Sequence, residues 1–341
     1  MDQTMLAVVK EKAEPGVTLK QIPIPKPEKG ELLIKVKSAS ICGTDIGIYD
    51  WTPWAADHIK PPVVIGHEVL GEVLEINGDP TKEEAGVKVG DLVSSETHIF
   101  CGQCYQCQNN RRHICENMQL FGIGRNGGFA EYATIPIRTS WKNDPAIKLD
   151  WMSVQEPFGN AVHAVTKASV ASKRIVIFGM GPTGLAASAV AKAYGASEVI
   201  GIDPVEYRRN LAMLMGCDKV YGVLPSEYDN ACDIVIDMSG FPPAIERAFE
   251  AVRIGGTLMA FGIPKTPIQL DWGKYMINKE LTILSVFGRH IWETWEETTR
   301  LLKSGKINLD PIITHRFPLS QFEEAMTIMK SGQSGKIILT P

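Results

Sequence analysis

Residues 174–186 read Arg-Ile-Val-Ile-Phe-Gly-Met-Gly-Pro-Thr-Gly-Leu-Ala, an apolar run that turns through Gly179, Gly181 and Gly184 into an alanine-rich helix reaching Ala193. Gly179 permits a tight turn, Gly181 lets the backbone approach a pyrophosphate, and Gly184 lets the helix pack closely. The free amides and positive dipole end of that helix then face the anion. A lone G-x-G-x-x-G is weak evidence. Here the strand before it, the helix after it and Asp203, 19 residues past Gly184, make it a dinucleotide fingerprint. Asp203 would accept hydrogen bonds from the adenosine ribose and repel a 2′-phosphate, which predicts NAD. Arg208 and Arg209 lie close enough to weaken that selection, and a plain helix N-cap is the alternative role for Asp203.

Downstream, short apolar runs at 199–202, 219–223, 233–237, 257–261 and 282–286 alternate with helical stretches. With 175–178 they make six strands, the pattern of a doubly wound parallel sheet. A helix is predicted over 292–304, a second amphipathic helix near 321–330 and a strand over 335–339, with the last segment returning to the first domain. Upstream, the first 150 residues hold short apolar stretches broken by Pro and Gly, as at 31–36 and 62–68, and predict an irregular β-rich domain. A chain of 341 residues is long enough for two cores.

Seven cysteines, with four between Cys101 and Cys115 and no secretory leader pattern at the start, argue for metal over a disulfide framework. The spacing Cys101-x2-Cys104-x2-Cys107-x7-Cys115, eased by Gly102, suits a closed tetrahedral zinc, which has no open position for substrate and is therefore structural. An iron–sulfur cluster or metal-free thiols are the alternatives. A second, scattered set comprises Cys42-Gly43-Thr44-Asp45, Gly66-His67-Glu68 and Gln155-Glu156-Pro157. Catalytic zinc needs about three protein ligands and one exchangeable position, which Cys, His and carboxylate groups from separate loops can supply. Taken singly, each is as well read as a core thiol or a satisfied polar group; Cys217 and Cys232 read as core residues.

A formal net charge of -4 without long basic runs gives no electrostatic reason to expect nucleic acid or anionic lipid. No apolar run approaches the ~18 residues of a membrane helix. A soluble, cytoplasmic protein is the expectation.

On these motifs, together with Gly90-Asp91-Leu92-Val93 and Gly128-Phe129-Ala130-Glu131-Tyr132, the sequence resembles the zinc-containing medium-chain alcohol dehydrogenase family over essentially its whole length. Within it the chain is most similar to the L-threonine 3-dehydrogenase branch. The matching stretches are Glu96-Thr97-His98-Ile99, Glu156-Pro157-Phe158-Gly159-Asn160-Ala161-Val162-His163, Gly288-Arg289, Glu293-Thr294-Trp295, 311–317 and 331–336. The resemblance implies a GroES-like catalytic domain from both chain ends (1–157 and 294–341), a Rossmann domain between them (158–293) and a homotetramer. It also implies one catalytic and one structural zinc, with Cys42, His67 and Glu156 on the catalytic ion and Glu68 beside or intermittently on it. His98 then lies near the active site, an ordinary loop histidine being the alternative.

The implied reaction is oxidation of a small secondary alcohol by hydride transfer to NAD, with L-threonine giving 2-amino-3-oxobutanoate as the leading case. A polyol, sugar alcohol or 2,3-butanediol is the alternative. Thr44 is the candidate first hydroxyl of the proton relay. One departure stands out: relatives commonly carry a histidine three residues after this threonine, and here the position is Gly47, so either the relay runs through Thr44 and water or the cofactor ribose, or the substrate is not threonine. Arg289 is a candidate carboxylate or cofactor partner, or one half of a surface or interdomain ion pair. A non-catalytic zinc and NAD binder would be favoured by loss of Cys42, His67 or Glu156, all of which are present. A zinc-free quinone-type reductase is opposed by the cysteine lobe and Asp203.

Overall fold

The computed structural model describes residues 3–81 and 86–341. The chain divides into two compact units, Met1–Pro157 with Ile313–Pro341, and Phe158–Ile312.

In the second unit six strands form a parallel sheet, ordered Lys219–Tyr221, Glu198–Ile202, Arg174–Phe178, Cys232–Asp237, Val252–Ala260 and Thr282–Ser285. In sequence order this is 3-2-1-4-5-6, so the direction of winding reverses beside the strand that feeds the fingerprint, where doubly wound sheets bind dinucleotides. Ile175, Val176 and Ile177 are all fully buried because helices cover both faces. The fifth strand starts at Val252, five residues before the apolar run that predicted it. Gly255 at φ +68° and a register shift beside Cys232 carry the chain into the ladder there.

The helix Glu293–Lys303 buries Thr294, Trp295, Thr298, Leu301 and Leu302 along one face, and the Tyr194 hydroxyl donates to Glu297 on it. These contacts hold it in the second unit. The boundary expected at 293/294 therefore differs from the structure, in which the chain returns to the first unit at Ile313.

In the first unit the strand Glu31–Ser40 is central. It pairs antiparallel with Glu68–Asn77, with Tyr132–Pro136 and, at its end, with the C-terminal strand Lys336–Thr340. Leu32, Ile34 and Val36 pack on Val69, Val73, Val93 and Ile135 from these strands and their neighbours. The helix Phe322–Ser331 presents Phe322, Ala325, Met326 and Met329 to Ile41, Ile48 and Phe129. Burying side chains such as Phe322 and Met326 contributes about 1.5–3 kcal/mol each. Gly332, at φ +75°, ends the helix in the left-handed region that a side chain resists. The pairing Ser40↔Glu68 matters most for function, because it sets the residues just after Ser40 beside those just before and at Glu68.

Candidate active site

Cys42 follows the central strand as the N-cap of the helix Gly43–Tyr49, with its N–H donating to Asp45 Oδ2 at 2.8 Å. His67 leaves a turn at Gly66, whose φ is +94° and whose missing Cβ would stand 2.3 Å from the Phe129 ring. Only glycine fits that crossing. Ligand atoms of Cys42, His67 and Glu68 consequently lie within 4.8 Å of one another, two of the three residues buried and Cys42 partly so. Thr44 Oγ1 is 3.7 Å from Cys42 Sγ. Glu156 sits in the first turn of the helix Gln155–Thr166 and is not one of that trio. It adjoins them through Thr97, whose hydroxyl donates to Glu156 Oε1 at 2.7 Å and lies 3.4 Å from the His67 carbonyl.

Burial opposes a charged imidazole at His67, yet the Asp45 and Cys42 charges overcome it and raise the His67 pKa well above its ordinary value. Asp45 Oδ1 and His67 Nδ1 are 3.6 Å apart, and neither has a hydrogen-bond partner. The pocket thus presents a field that calls for a cation. An imidazole whose second nitrogen faces a carboxylate is the usual support for a metal-binding histidine. Sulfur, nitrogen and carboxylate donors together fit zinc.

Four residues around this set carry roles that the motifs did not assign. Asp45 supports His67, Thr97 holds Glu156, and Ser40 and Lys336 both donate to the Glu68 carboxylate. Lys336 is 2% exposed and also donates to the Ile41 carbonyl. Burial opposes its charge, but Glu68, Cys42 and Glu156 keep the ammonium and raise its pKa. A lysine opening directly onto the apolar run Ile337-Ile338-Leu339 of the C-terminal strand was the available signal in the sequence. His98 is buried beside these groups. Its N–H donates to Glu96 Oε1 at 2.9 Å, and its Nδ1 is 2.7 Å from the same oxygen.

The sulfurs of Cys101, Cys104, Cys107 and Cys115 also gather within 4.8 Å, all four free of disulfides. Backbone amides of Gln103 and Cys104 point at Cys101 Sγ at 3.5 and 3.4 Å, and those of Cys101 and Asn117 at Cys115 Sγ at 3.3 Å. The Gln103 and Cys104 amides bring the Cys101 pKa down to about 6, whereas burial pushes Cys107 up to about 12. Sulfurs crowded together and solvated by amides fit a closed metal centre. Cys217 and Cys232 are buried within the second unit, as the sequence suggested.

In the second unit Gly179 has φ +89°, and a Cβ at Gly184 would meet the Gly179 carbonyl oxygen at 1.9 Å, so the fingerprint turn and its helix touch backbone to backbone. At Gly181 the same construction meets nothing within 4 Å, leaving the approach over the helix N-terminus open. Asp203 is buried at the end of the second strand. It accepts from the Met180 N–H at Oδ2 and the Val205 N–H at Oδ1, both at 2.9 Å, with Arg208 Nη1 3.7 Å away. Arg209 donates to the carbonyls of Asp203 and Pro204, so of the two arginines it is Arg208 that faces the carboxylate. Val205, not Asp203, caps the next helix. Arg289 is 1% exposed and donates to Asn160 Oδ1, its stem lying where a Gly159 side chain would go.

Residues 28–144 match the model of the alcohol dehydrogenase GroES-like domain, and residues 182–304 that of the zinc-binding dehydrogenases. The L-threonine 3-dehydrogenase of Pyrococcus furiosus is 43% identical over 350 residues, covering 99% of both chains. An alcohol dehydrogenase from Escherichia coli CFT073, solved with NADH, has a TM-score of 0.88 at 27% identity over 99% of each chain. The 2R,3R-butanediol dehydrogenase of Bacillus subtilis shares the fold, with a TM-score of 0.87 at 24% identity over 99% of each chain.

Proposed function

The chain belongs to the zinc-binding alcohol dehydrogenase family, and from that premise we propose that it oxidises the 3-hydroxyl of L-threonine to 2-amino-3-oxobutanoate with NAD as hydride acceptor. The observation that carries the reading is the Cys42, His67 and Glu68 cluster with Thr44 at its edge, in a chain 43% identical to an L-threonine 3-dehydrogenase from end to end. One zinc would be held by Cys42, His67 and Glu156 with Glu68 in reserve, a second by the four cysteines, and NAD by Gly179, Gly181, Gly184, Asp203 and Arg208.

When bound, zinc supplies the Lewis acidity that makes a substrate hydroxyl acidic near neutral pH, and NAD takes the hydride. Thr44 Oγ1 is the group placed to receive the hydroxyl proton and pass it on. Gly47, one helical turn further, presents no side chain to continue the relay, so the proton would leave Thr44 through water or the cofactor ribose. Asp45 fixes His67, and Lys336 offsets the charge of the reserve carboxylate Glu68. To His98, steadied by Glu96, this reading gives the handling of the substrate's polar groups.

A homotetramer in the cytoplasm completes the reading. The outer strand Thr282–Ser285 offers an edge for a second copy, with Ile283 exposed on it, and no helix among the described residues is long and apolar enough to cross a membrane. The test is NADH formation at 340 nm by the zinc-loaded protein across L-threonine, D-threonine, 2,3-butanediol and sorbitol. Preference in kcat/KM for L-threonine is the expected result. Gly47 gives the diols and polyols their foothold, and turnover confined to them would replace the substrate while keeping the chemistry.

A further inference from the structure

The two halves of the parallel sheet end differently at their carboxyl edge. Strands 3-2-1 meet the fingerprint, whose helix N-terminus is open over Gly181 and suits a pyrophosphate. Strands 4-5-6 form the other mononucleotide half of a doubly wound crevice. The fourth strand ends at Asp237, which pairs beside Phe178 of the first and is 3% exposed. Its carboxylate turns back on its own loop: Oδ1 accepts from the Ser239 N–H at 3.0 Å and from the Ser239 hydroxyl at 2.6 Å, and Oδ2 from the Gly240 N–H at 3.2 Å. Ser239 Oγ in turn accepts from the Phe241 N–H at 3.1 Å, at the cap of the helix Pro242–Ala251.

Every donor along this loop is thereby accounted for. The Met238 N–H goes to the Phe178 carbonyl at 2.8 Å, and those of Ser239, Gly240 and Phe241 go to the Asp237 and Ser239 side chains. Pro242 and Pro243 have none, and those of Ala244 and Ile245 go to the Phe241 carbonyl. From 238 to 245 no backbone N–H is left to hold a phosphate, in contrast to the fingerprint helix. The loop is also clamped against its neighbours. A Cβ at Gly262 would meet Gly240 N at 2.1 Å and Asp237 Oδ2 at 2.7 Å, and one at Gly179 would meet the Ser239 backbone at 3.0 Å. The N–H groups of Phe261 and Gly262 donate to the Asp237 carbonyl at 3.2 and 3.0 Å. Three loops, at the ends of the first, fourth and fifth strands, thus touch backbone to backbone around one residue.

We propose that Asp237 is the positioning residue of the nicotinamide half-site: it fixes loop 238–241 in a shape that receives the nicotinamide ring and offers no donor to a phosphate. The inference rests on the reading of NAD as the cofactor. Asp237 acts through Ser239 and Gly240, by the hydrogen bonds it accepts from them. A loop already held in its bound shape spares the ligand the cost of ordering it, so releasing the loop weakens the ligands that reach it and leaves the others alone.

The test compares the affinities of NAD, NADH and ADP-ribose, which ends at the second ribose and lacks the nicotinamide. Isothermal titration calorimetry measures all three on the full-length zinc-loaded protein and on Asp237→Ala, Asp237→Asn and Ser239→Ala. The expected result in Asp237→Ala is a loss of about 10-fold for both NAD and NADH, the size of one hydrogen bond to a charged group, with ADP-ribose binding unchanged. Asp237→Asn keeps an oxygen for the Ser239 donors and should bind all three ligands as the parent does. Parental NADH affinity in Asp237→Ala would overturn the proposal, and so would an equal loss of ADP-ribose, because the residue would then serve the whole unit. A loss in Asp237→Asn as large as in Asp237→Ala would overturn it too, by assigning the effect to charge. Should Asp237→Ala lack native circular dichroism, Ser239→Ala, which cuts only the link to Phe241, decides in its place through a smaller loss of the same selectivity. Failure of the parent to bind ADP-ribose and NADH at all would instead remove the reading of NAD on which the proposal stands.

Discussion

The two clusters of this chain that could hold a metal are built in opposite ways. The four sulfurs of one come from fifteen consecutive positions, 101–115, turned by Gly102 and solvated by their own neighbours' amides. The other draws Cys42 from the N-cap of a helix, His67 from a glycine crossing and Glu68 from the strand that follows, with Glu156 adjoining from a helix start and Lys336 from the last strand, 295 positions from the Ile41 carbonyl it also binds. A local cluster can form before the domain does and lends it stability. A dispersed cluster exists only once the domain has folded, so it can be spent on function.

The sharpest way to break that comparison is a crossed pair of substitutions. Cys42→Ala should remove the several kcal/mol of transition-state stabilisation a Lewis acid supplies, which at 1.36 kcal/mol per tenfold lowers kcat/KM by about 10³-fold or more. The melting temperature should move little. Cys104→Ser should do the reverse, lowering stability by several kcal/mol through loss of a structural metal while the molecules that remain folded keep most of their turnover. Calorimetry and initial rates on both variants decide it. Equal unfolding by the two would mean that the dispersed site is also a structural one.

Lys336 tests whether charge balance holds the dispersed site together. Lys336→Met strands Glu68 in the interior, and removing one partner of a buried pair costs about 3–5 kcal/mol. The double variant Lys336→Met with Glu68→Gln should regain most of that loss in a urea unfolding series. If the double variant is as unstable as the single, the lysine is valued for its bond to the Ile41 carbonyl, not for its charge.

This difference in construction also explains what the sequence disclosed. The cysteine lobe and the fingerprint were legible because their chemistry lies in one short run: the spacing of Cys101 to Cys115, and Gly179, Gly181 and Gly184 between a strand and a helix. The six strands of the second unit followed from apolar runs, with the fifth misjudged in length because Gly255 and Gly256 hid its start. Cys42, His67, Glu68 and Glu156 were individually ambiguous and became a set through family resemblance. Ser40, Thr97 and Lys336 went unassigned because nothing local marks a residue whose partner lies 28, 59 or 268 positions away. The return of the chain at Ile313 was missed because the apolar face of Glu293–Lys303 suits either unit on periodicity alone.

Gly66 joins the two kinds of order, since a local backbone feature there delivers a ligand to the dispersed site. Gly66→Ala would force a Cβ into the Phe129 ring from a left-handed φ, and strain of that kind costs about 1–3 kcal/mol. Zinc affinity at the second site should fall with it, because His67 is the next residue, while the four-cysteine zinc stays bound. Loss of stability with unchanged metal affinity would show that the turn is structural and that His67 is positioned by Asp45 alone.

The smallest expected effect comes from Gly47, the position where the family resemblance leads one to expect a histidine. Gly47 does not sit in the left-handed region, and an added Cβ meets only the Thr52 side chain, at 3.4 Å and beyond, so a histidine can be placed there at little cost in stability. If the proton leaves Thr44 for water unaided, Gly47→His supplies an acceptor one turn further along the helix. L-Threonine turnover should then rise severalfold near neutral pH and lose the gain below about pH 6, where an ordinary histidine is protonated and accepts nothing. The pH profile of kcat in Gly47→His against the parent measures this. Identical profiles would mean that the relay already has another route out of the pocket, and that the dispersed site tolerates the missing histidine because its proton never depended on it.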